Sequence, residues 1–328
     1  MQDRAYILST AALSLFCYAV VIMVLYQVEP RFHLPAYNHI SLDSKLHFLR
    51  HHADIKTADT LVIGSSMGLN NINGELLETV SSKVEKVVNL SAWSLKCPQL
   101  LPLLTQIVNS SGQVKRIIYA AQYFDFTGEV KIKGASVDTV FGYLNDEPLG
   151  TFKFIFSASK NLLSMLDQFL RWENFTNAKT YEYLVFDDTG GSLLNINQSN
   201  ANPHRWGEID AYTLTPLREE HLSCLQKLVN LAQARKLDLF FVVQPFRQAL
   251  IKDNPGLKAI MNEFSMRTRE IMNKDKTYHI DAHHLLNLDD ANFADKSHLN
   301  ILGANAKTRK LAEIIDQKDP VVAYNTAI

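Results

Sequence analysis

One segment constrains this chain before any other. From Tyr6 to Tyr26 it runs YILSTAALSLFCYAVVIMVLY, 21 residues without a charge, with Ser9, Thr10 and Ser14 as the clearly polar members. As a helix the run rises roughly 31 Å, the thickness of a bilayer's hydrocarbon core. It predicts a transmembrane anchor over residues 6–26, after a short tail at 1–5. A cleaved signal peptide is the rival, but its apolar core is usually about 7–15 residues long and ends in small residues. This run is longer and ends in Met23-Val24-Leu25-Tyr26. Nor does Cys17, mid-span after Phe16, suit a lipoprotein signal. Tyr6 and Tyr26 suit the two interfaces. Charge barely decides orientation, because Arg4 opposes Asp3 on one side while Arg31, Lys45 and Arg50 follow on the other.

Residues 27–54 form a connector with Pro30 and Pro35 and a helix over about Leu42–His52. The body, 55–328, alternates short apolar strands with helices. Strands are expected at Asp59–Ile63, Val84–Leu90 and Lys115–Ala121, with helices at Asn73–Val80 and Pro98–Val108. An insertion over about 127–212 follows, rich in Gly, Asn and aromatics, with one helix near Ser157–Trp172 and polar loops at Asp187–Gly191 and Asn195–Asn202. The rhythm resumes with helix Pro216–Arg235, strand Leu237–Val243, helix Gly256–Met272, strand Tyr278–Asp281 and helix Ile301–Asp316. Five apolar strands joined by helices predict an α/β fold with a parallel sheet covered on both faces. The insertion is expected at the rim, where it can cap a site.

Composition removes whole classes of function. Lys and Arg number 33 against 34 Asp and Glu, and no basic run reaches four, so phosphate-neutralising nucleic-acid binding is not expected. Hydrophobic residues at 47% and charged ones at 20% give enough apolar surface for an ordered core. Three cysteines, Cys17, Cys97 and Cys224, make no disulfide framework, and the lack of CxxC or a Cys/His cluster argues against structural zinc. Neither GxGxxG nor GxxxxGK[ST] is present, so a phosphate-binding loop is not expected.

Two short blocks carry the chemistry. In Gly64-Ser65-Ser66-Met67-Gly68, a serine stands at the carboxyl end of a buried strand, where open α/β sheets place ligands. The next helix can offer N–H groups to a developing oxyanion. The plainer possibility is a tight turn at Gly64 with a serine capping the helix. The second block, Asp295-Lys-Ser-His298, directly precedes the final helix. Three residues are close enough for one turn to let Asp295 orient the His298 imidazole, which could serve as general base toward Ser66. Nucleophile, base and orienter at two predicted rim positions are what serine acyl chemistry requires.

These blocks resemble those of the SGNH/GDSL hydrolase superfamily. Gly64-Ser65-Ser66 is similar to its first block, usually Gly-Asp-Ser, and Asp295-x-x-His298 to its last. The resemblance implies a flavodoxin-like three-layer sandwich with Ser66 as nucleophile, His298 as base, Asp295 as its partner, and no cofactor or metal. The middle blocks depart. Ser94, in Asn89-Leu-Ser91-Ala-Trp-Ser94, stands where the family has an oxyanion glycine, and Gln122 where it has Gly-x-Asn-Asp. Gly64-x-Ser66-x-Gly68 also satisfies the nucleophile elbow of α/β-hydrolases, but that fold puts several strands before its elbow.

An N-terminal anchor before such a body looks like the envelope proteins that O-acetylate exopolysaccharides or help D-alanylate teichoic acids. Resemblance of that kind implies an extracytoplasmic, periplasmic domain on the inner or plasma membrane, a cell-envelope glycan or acyl donor as partner, and often a multipass membrane acyltransferase. It implies transfer or hydrolysis of an acyl group. The alternative is a catalytically silent glycan-binding or scaffolding subunit. Weaker candidates are His279, His283 and His284 with Asp281, Asp289 and Asp290, whose spacing fits no familiar metal site and suggests a solvated loop. Asp187-Asp188-Thr-Gly-Gly191 is expected to be a turn, and Trp93, Trp172 and Trp206 either core or sugar-stacking residues.

Overall fold

The computed structural model describes residues 2–130, 132–176, 184–196, 206, 215–252 and 254–317. These group into two compact units, one drawn from 1–51 and 132–171, the other from 52–131 and 172–328. The far end of the 127–212 insertion, with Tyr212 and most of the loop 195–202, lies outside the described residues.

The first unit begins with α1 (Gln2–Val28), whose apolar run continues unbroken as helix. It is long and apolar enough to cross a membrane, and the most apolar part of it is uncovered. Its end is different: Leu25 is buried in its last turns, as are Glu29 and Phe32 to Ala36 after it. Then come α2 (Ile40–His51), α6 (Val137–Leu144), α7 (Pro148–Ser159) and α8 (Leu162–Thr176). Sequence predicts one helix at 157–172. Instead, α7 and α8 meet in a turn at Lys160-Asn161, and α6 precedes them. The glycines that suggest irregular chain are packing points between helices: a Cβ on Gly150 would lie 2.4 Å from the Gly142 carbonyl carbon. Buried Glu29 anchors the unit's polar interior, its Oε1 lying 2.7 Å from His51 Nε2 and accepting from the Tyr143 hydroxyl.

The second unit is the α/β body. Strands β1 (Thr60–Gly64), β2 (Val87–Asn89), β3 (Arg116–Ala121), β4 (Asp238–Val243) and β5 (Thr277–Asp281) form one all-parallel sheet in the order β2-β1-β3-β4-β5. That order is compatible with a flavodoxin-like fold. Val62, Ile118, Phe240, Val242 and Ile280 from four strands pack with Leu77 of α4 (Gly74–Val80) and with Leu311, Ile314 and Ile315 of α13 (Ile301–Gln317). Elsewhere in the core, Tyr119 and Phe241 sit with ring centroids 5.2 Å apart, and Phe241 meets Phe264 of α11 (Pro255–Ile271) at 6.1 Å. α5 (Cys97–Ser110) and α9 (Glu219–Arg235) are joined by a disulfide between Cys97 and Cys224, which cysteine number alone does not reveal. A short helix, α3 (Ser66–Asn71), follows β1 directly and is not expected from the sequence pattern. The remaining short helices are α10 (Gln248–Lys252) and α12 (Ala282–Leu285).

Candidate active site

Strand order reverses between β1 and β3, so the chain leaves their adjacent carboxyl ends in different directions and opens a crevice there. Ser66 follows β1 and Gln122 follows β3. The turn after β1 depends on Gly64: its φ is +149°, and a Cβ would stand 2.3 Å from the Ala120 carbonyl oxygen on the neighbouring strand. This close approach lets the chain turn at once into α3. Ser65, not Ser66, is the cap, with its Oγ accepting from the Met67 N–H at 3.3 Å. Gly68 and Leu69 donate to the Ser65 carbonyl. Ser66 is thereby left at the first helical position with its hydroxyl free for other work.

That hydroxyl lies 2.8 Å from His298 Nε2, and His298 Nδ1 lies 2.8 Å from Asp295 Oδ2. A carboxylate can only accept, so the Nδ1 proton belongs to the bond with Asp295, and Nε2 is the acceptor for the Ser66 O–H. The other carboxylate oxygen accepts backbone N–H groups from Ser297 at 2.9 Å and His298 at 2.7 Å, so the turn that spaces Asp295 and His298 also fixes the carboxylate. Asp295 is buried and the His298 side chain is 18% exposed, which leaves the imidazole edge reachable. Asn300 then caps α13, accepting from Leu302 and Gly303.

Residues without any motif hold the two blocks together. Asn71, at the end of the helix that Ser66 begins, accepts the Leu299 N–H at 3.0 Å and donates to Gln244 Oε1 at 3.3 Å. Lys307 of α13 is fully buried and donates to the same Gln244 oxygen. Burial pushes its ammonium well below the ordinary lysine range. The Arg247 N–H meets the Lys296 carbonyl at 3.0 Å, tying the loop after β4 to the Asp295–His298 turn. Asp125 is a second buried carboxylate here. It accepts the Gln122 N–H at 2.9 Å and the Ser65 hydroxyl, and burial pushes it up to about 6 against the opposing pull of those bonds, Lys96 and His298. The signal for Asp125 was its place after a strand; Asn71 and Lys307 carried none.

The structure thus brings Ser66, His298 and Asp295 together. Gln122 is buried after β3, and its Oε1 has no hydrogen-bond partner among the described residues. Ser94 is exposed in the loop before α5 with φ +56°, a left-handed conformation that favours glycine. The histidine group is a solvated loop only in part, with His284 and Asp289 exposed. His279 lies buried on β5, 3.0 Å from Thr268 Oγ1, and His283 is buried in α12, a helix that Asp281 caps by accepting the His283 and His284 N–H groups. Among the described residues, no His, Cys, Asp or Glu group is arranged to hold a metal ion. Asp187 closes the expected turn by accepting from Thr189 and Gly191. Trp206 packs under the Arg247 guanidinium, 4.0 Å from it, while the Trp172 side chain lies outside the described residues. Searches of family models and of curated proteins return no match to this chain.

Proposed function

We propose that this chain is a membrane-anchored serine acyltransferase or esterase of the SGNH type, acting on acyl groups of a cell-envelope polysaccharide. The observation that carries the reading is the continuous hydrogen-bonded chain from Ser66 Oγ through the His298 imidazole to Asp295, each link 2.8 Å long. His298 Nε2 takes the hydroxyl proton as Ser66 Oγ attacks an acyl carbonyl, and Asp295 stabilises the imidazolium that results. The imidazolium returns the proton to the departing oxygen, leaving an acyl ester on Ser66. A glycan hydroxyl or water then enters by the reverse sequence, its proton passing to His298, and Ser66 is regenerated. Transfer and hydrolysis differ only in which acceptor reaches the ester.

Residues 6–26 serve as a retained anchor in this reading, supported by the burial of Leu25 in the last turns of α1 and of Glu29 just after it: cleavage there would uncover their packing. The Cys97–Cys224 bond supports an extracytoplasmic body, since disulfides persist in oxidising compartments. A multipass membrane acyltransferase fits as the acyl source for such a body.

A serine-directed fluorophosphonate tests the chemistry. It should label the full-length protein in membranes, and Ser66→Ala should abolish the label. A folded wild type that takes no label would favour a silent glycan-binding or scaffolding subunit.

A further inference from the structure

α1 does not stand alone in the first unit. The Tyr18 hydroxyl lies 2.7 Å from Ser159 Oγ at the end of α7, and its ring meets Phe156 edge-on with centroids 5.9 Å apart. Tyr18 sits well inside the apolar run. From Arg4, the last charge before that run, to Tyr18 the helix rises roughly 21 Å, whereas a hydrocarbon core is about 30 Å thick. A span must therefore continue about 9 Å beyond Tyr18, and whatever packs on Tyr18 shares that depth.

The outer faces of α7 and α8 have the composition this depth demands. Leu149, Phe152 and Phe156 repeat along one side of α7 and are 63%, 51% and 41% exposed. Leu163, Leu166 and Leu170 repeat along α8 at 88%, 57% and 71%. Opposite faces are buried, through Phe154, Ile155 and Ala158 on α7 and Gln168 on α8. The turn between the helices also satisfies itself: Asn161 N–H bonds to the Ala158 carbonyl at 2.8 Å, and its side-chain amide donates to the Pro35 carbonyl at 2.7 Å. Backbone and amide groups placed away from water need such internal partners. Lys160 lies 5.3 Å from the Phe156 ring centroid, Lys153 is exposed on α7, and Asp167 is exposed among the leucines of α8. Charges interleaved with large apolar groups suit the headgroup–acyl boundary, where amphipathic helices rest about 5–10 Å deep. That depth matches the shortfall in the span.

We propose that α7 and α8 form a second membrane-seated element, lying in the leaflet nearest Tyr26 and fixing the unit to the lipid surface beside α1. The inference rests on the reading of α1 as a retained span, and the test separates the two. Nitroxide labels read lipid exposure from collisions with oxygen, which partitions into acyl chains, against a water-soluble nickel chelate. The full-length protein is reconstituted into phosphatidylethanolamine/phosphatidylglycerol vesicles. Native Cys17, exposed on α1, gives the reference for the span. In a Cys17→Ser background, Leu163→Cys and Phe152→Cys report on the pair, and Lys227→Cys, at an exposed position of α9, gives the aqueous reference. Oxygen collisions should exceed nickel collisions several-fold at 163 and 152, as at Cys17, with the reverse at 227. Nickel-accessible labels at 163 and 152 beside a lipid-exposed Cys17 would overturn the second element and leave the anchor standing. A nickel-accessible Cys17 would remove the span and the proposal together. Labels at 163 and 152 shielded from both reagents would mean a protein covers this face and would overturn the lipid assignment.

Discussion

Asp125 is a residue near the site whose charge state depends on the fold. It is 7% exposed, and burial outweighs two hydrogen bonds and the electrostatic pull of Lys96 and His298 in setting its carboxyl at about 6 rather than the ordinary 3.8. A carboxyl with a raised pKa binds its proton more tightly in the folded chain than in the unfolded one. The stability this contributes is present below about pH 4 and is lost as pH rises to about 6. Two pH units correspond to at most about 3 kcal/mol. Asp125→Asn keeps an oxygen to accept the Gln122 N–H and has no proton to lose. The melting temperature of this variant relative to wild type should therefore climb between pH 4 and pH 6 and level off above. A difference constant over that range would show that Asp125 is not held in its raised state. The juxtaposition of Ser66, His298 and Asp295 was legible because each sits in a short block at the end of an element, with one turn between Asp295 and His298. Asp125 was not singled out, because its burial beside Ser65 is a property of packing that no local pattern encodes.

α3 carries Ser66 at one end and, at the other, Asn71, which braces the segment that bears His298. Its six residues place Ser66 against His298 and Asn71 against the Leu299 N–H, one residue beyond His298. Replacing Asn71 by Ala leaves that N–H buried without its acceptor, a cost of about 1–3 kcal/mol, and frees Gln244 Oε1 to follow Lys307 alone. Displacement of a reacting group by about 1 Å can cost about a hundredfold in rate. Asn71→Ala should thus slow fluorophosphonate labelling of Ser66 by ten- to a hundredfold and lower the melting temperature by a few degrees. A labelling rate equal to wild type would show that the brace does not position His298. The elements themselves were largely legible, since apolar strands followed by amphipathic helices mark both ends of the body. Three features were not. α3 is too short for a periodic signal, the turn at Lys160-Asn161 has no Gly or Pro, and Gly142 and Gly150 look like breakers although they let α6 and α7 approach. The Lys307–Gln244–Asn71 network was out of reach for a different reason: it joins α13, the end of β4 and α3, and lysine is exposed by default.

At the scale of the whole molecule, the chain leaves the body after β3, contributes residues 132–171 to the first unit, and returns to build α9, β4, α11 and β5. The Cys97–Cys224 bond closes this excursion, because it joins the start of α5 to α9 across 127 residues of sequence. In the unfolded chain such a link removes much of the freedom of a long loop, and native disulfides typically contribute about 2–5 kcal/mol. Replacing both cysteines by serine should lower the melting temperature of the body by roughly 4–20 °C, taking about 2–4 °C per kcal/mol for a domain of this size. Thermal unfolding of the detergent-solubilised protein with and without reductant checks this, and reductant should move wild type alone. The same bond reports on orientation. Intact membranes alkylated under denaturing conditions without reductant should yield protein modified once, at Cys17, if the body faces an oxidising compartment. Three modifications would show Cys97 and Cys224 reduced in place, putting the body on the reducing side, where no cell-envelope glycan could reach Ser66.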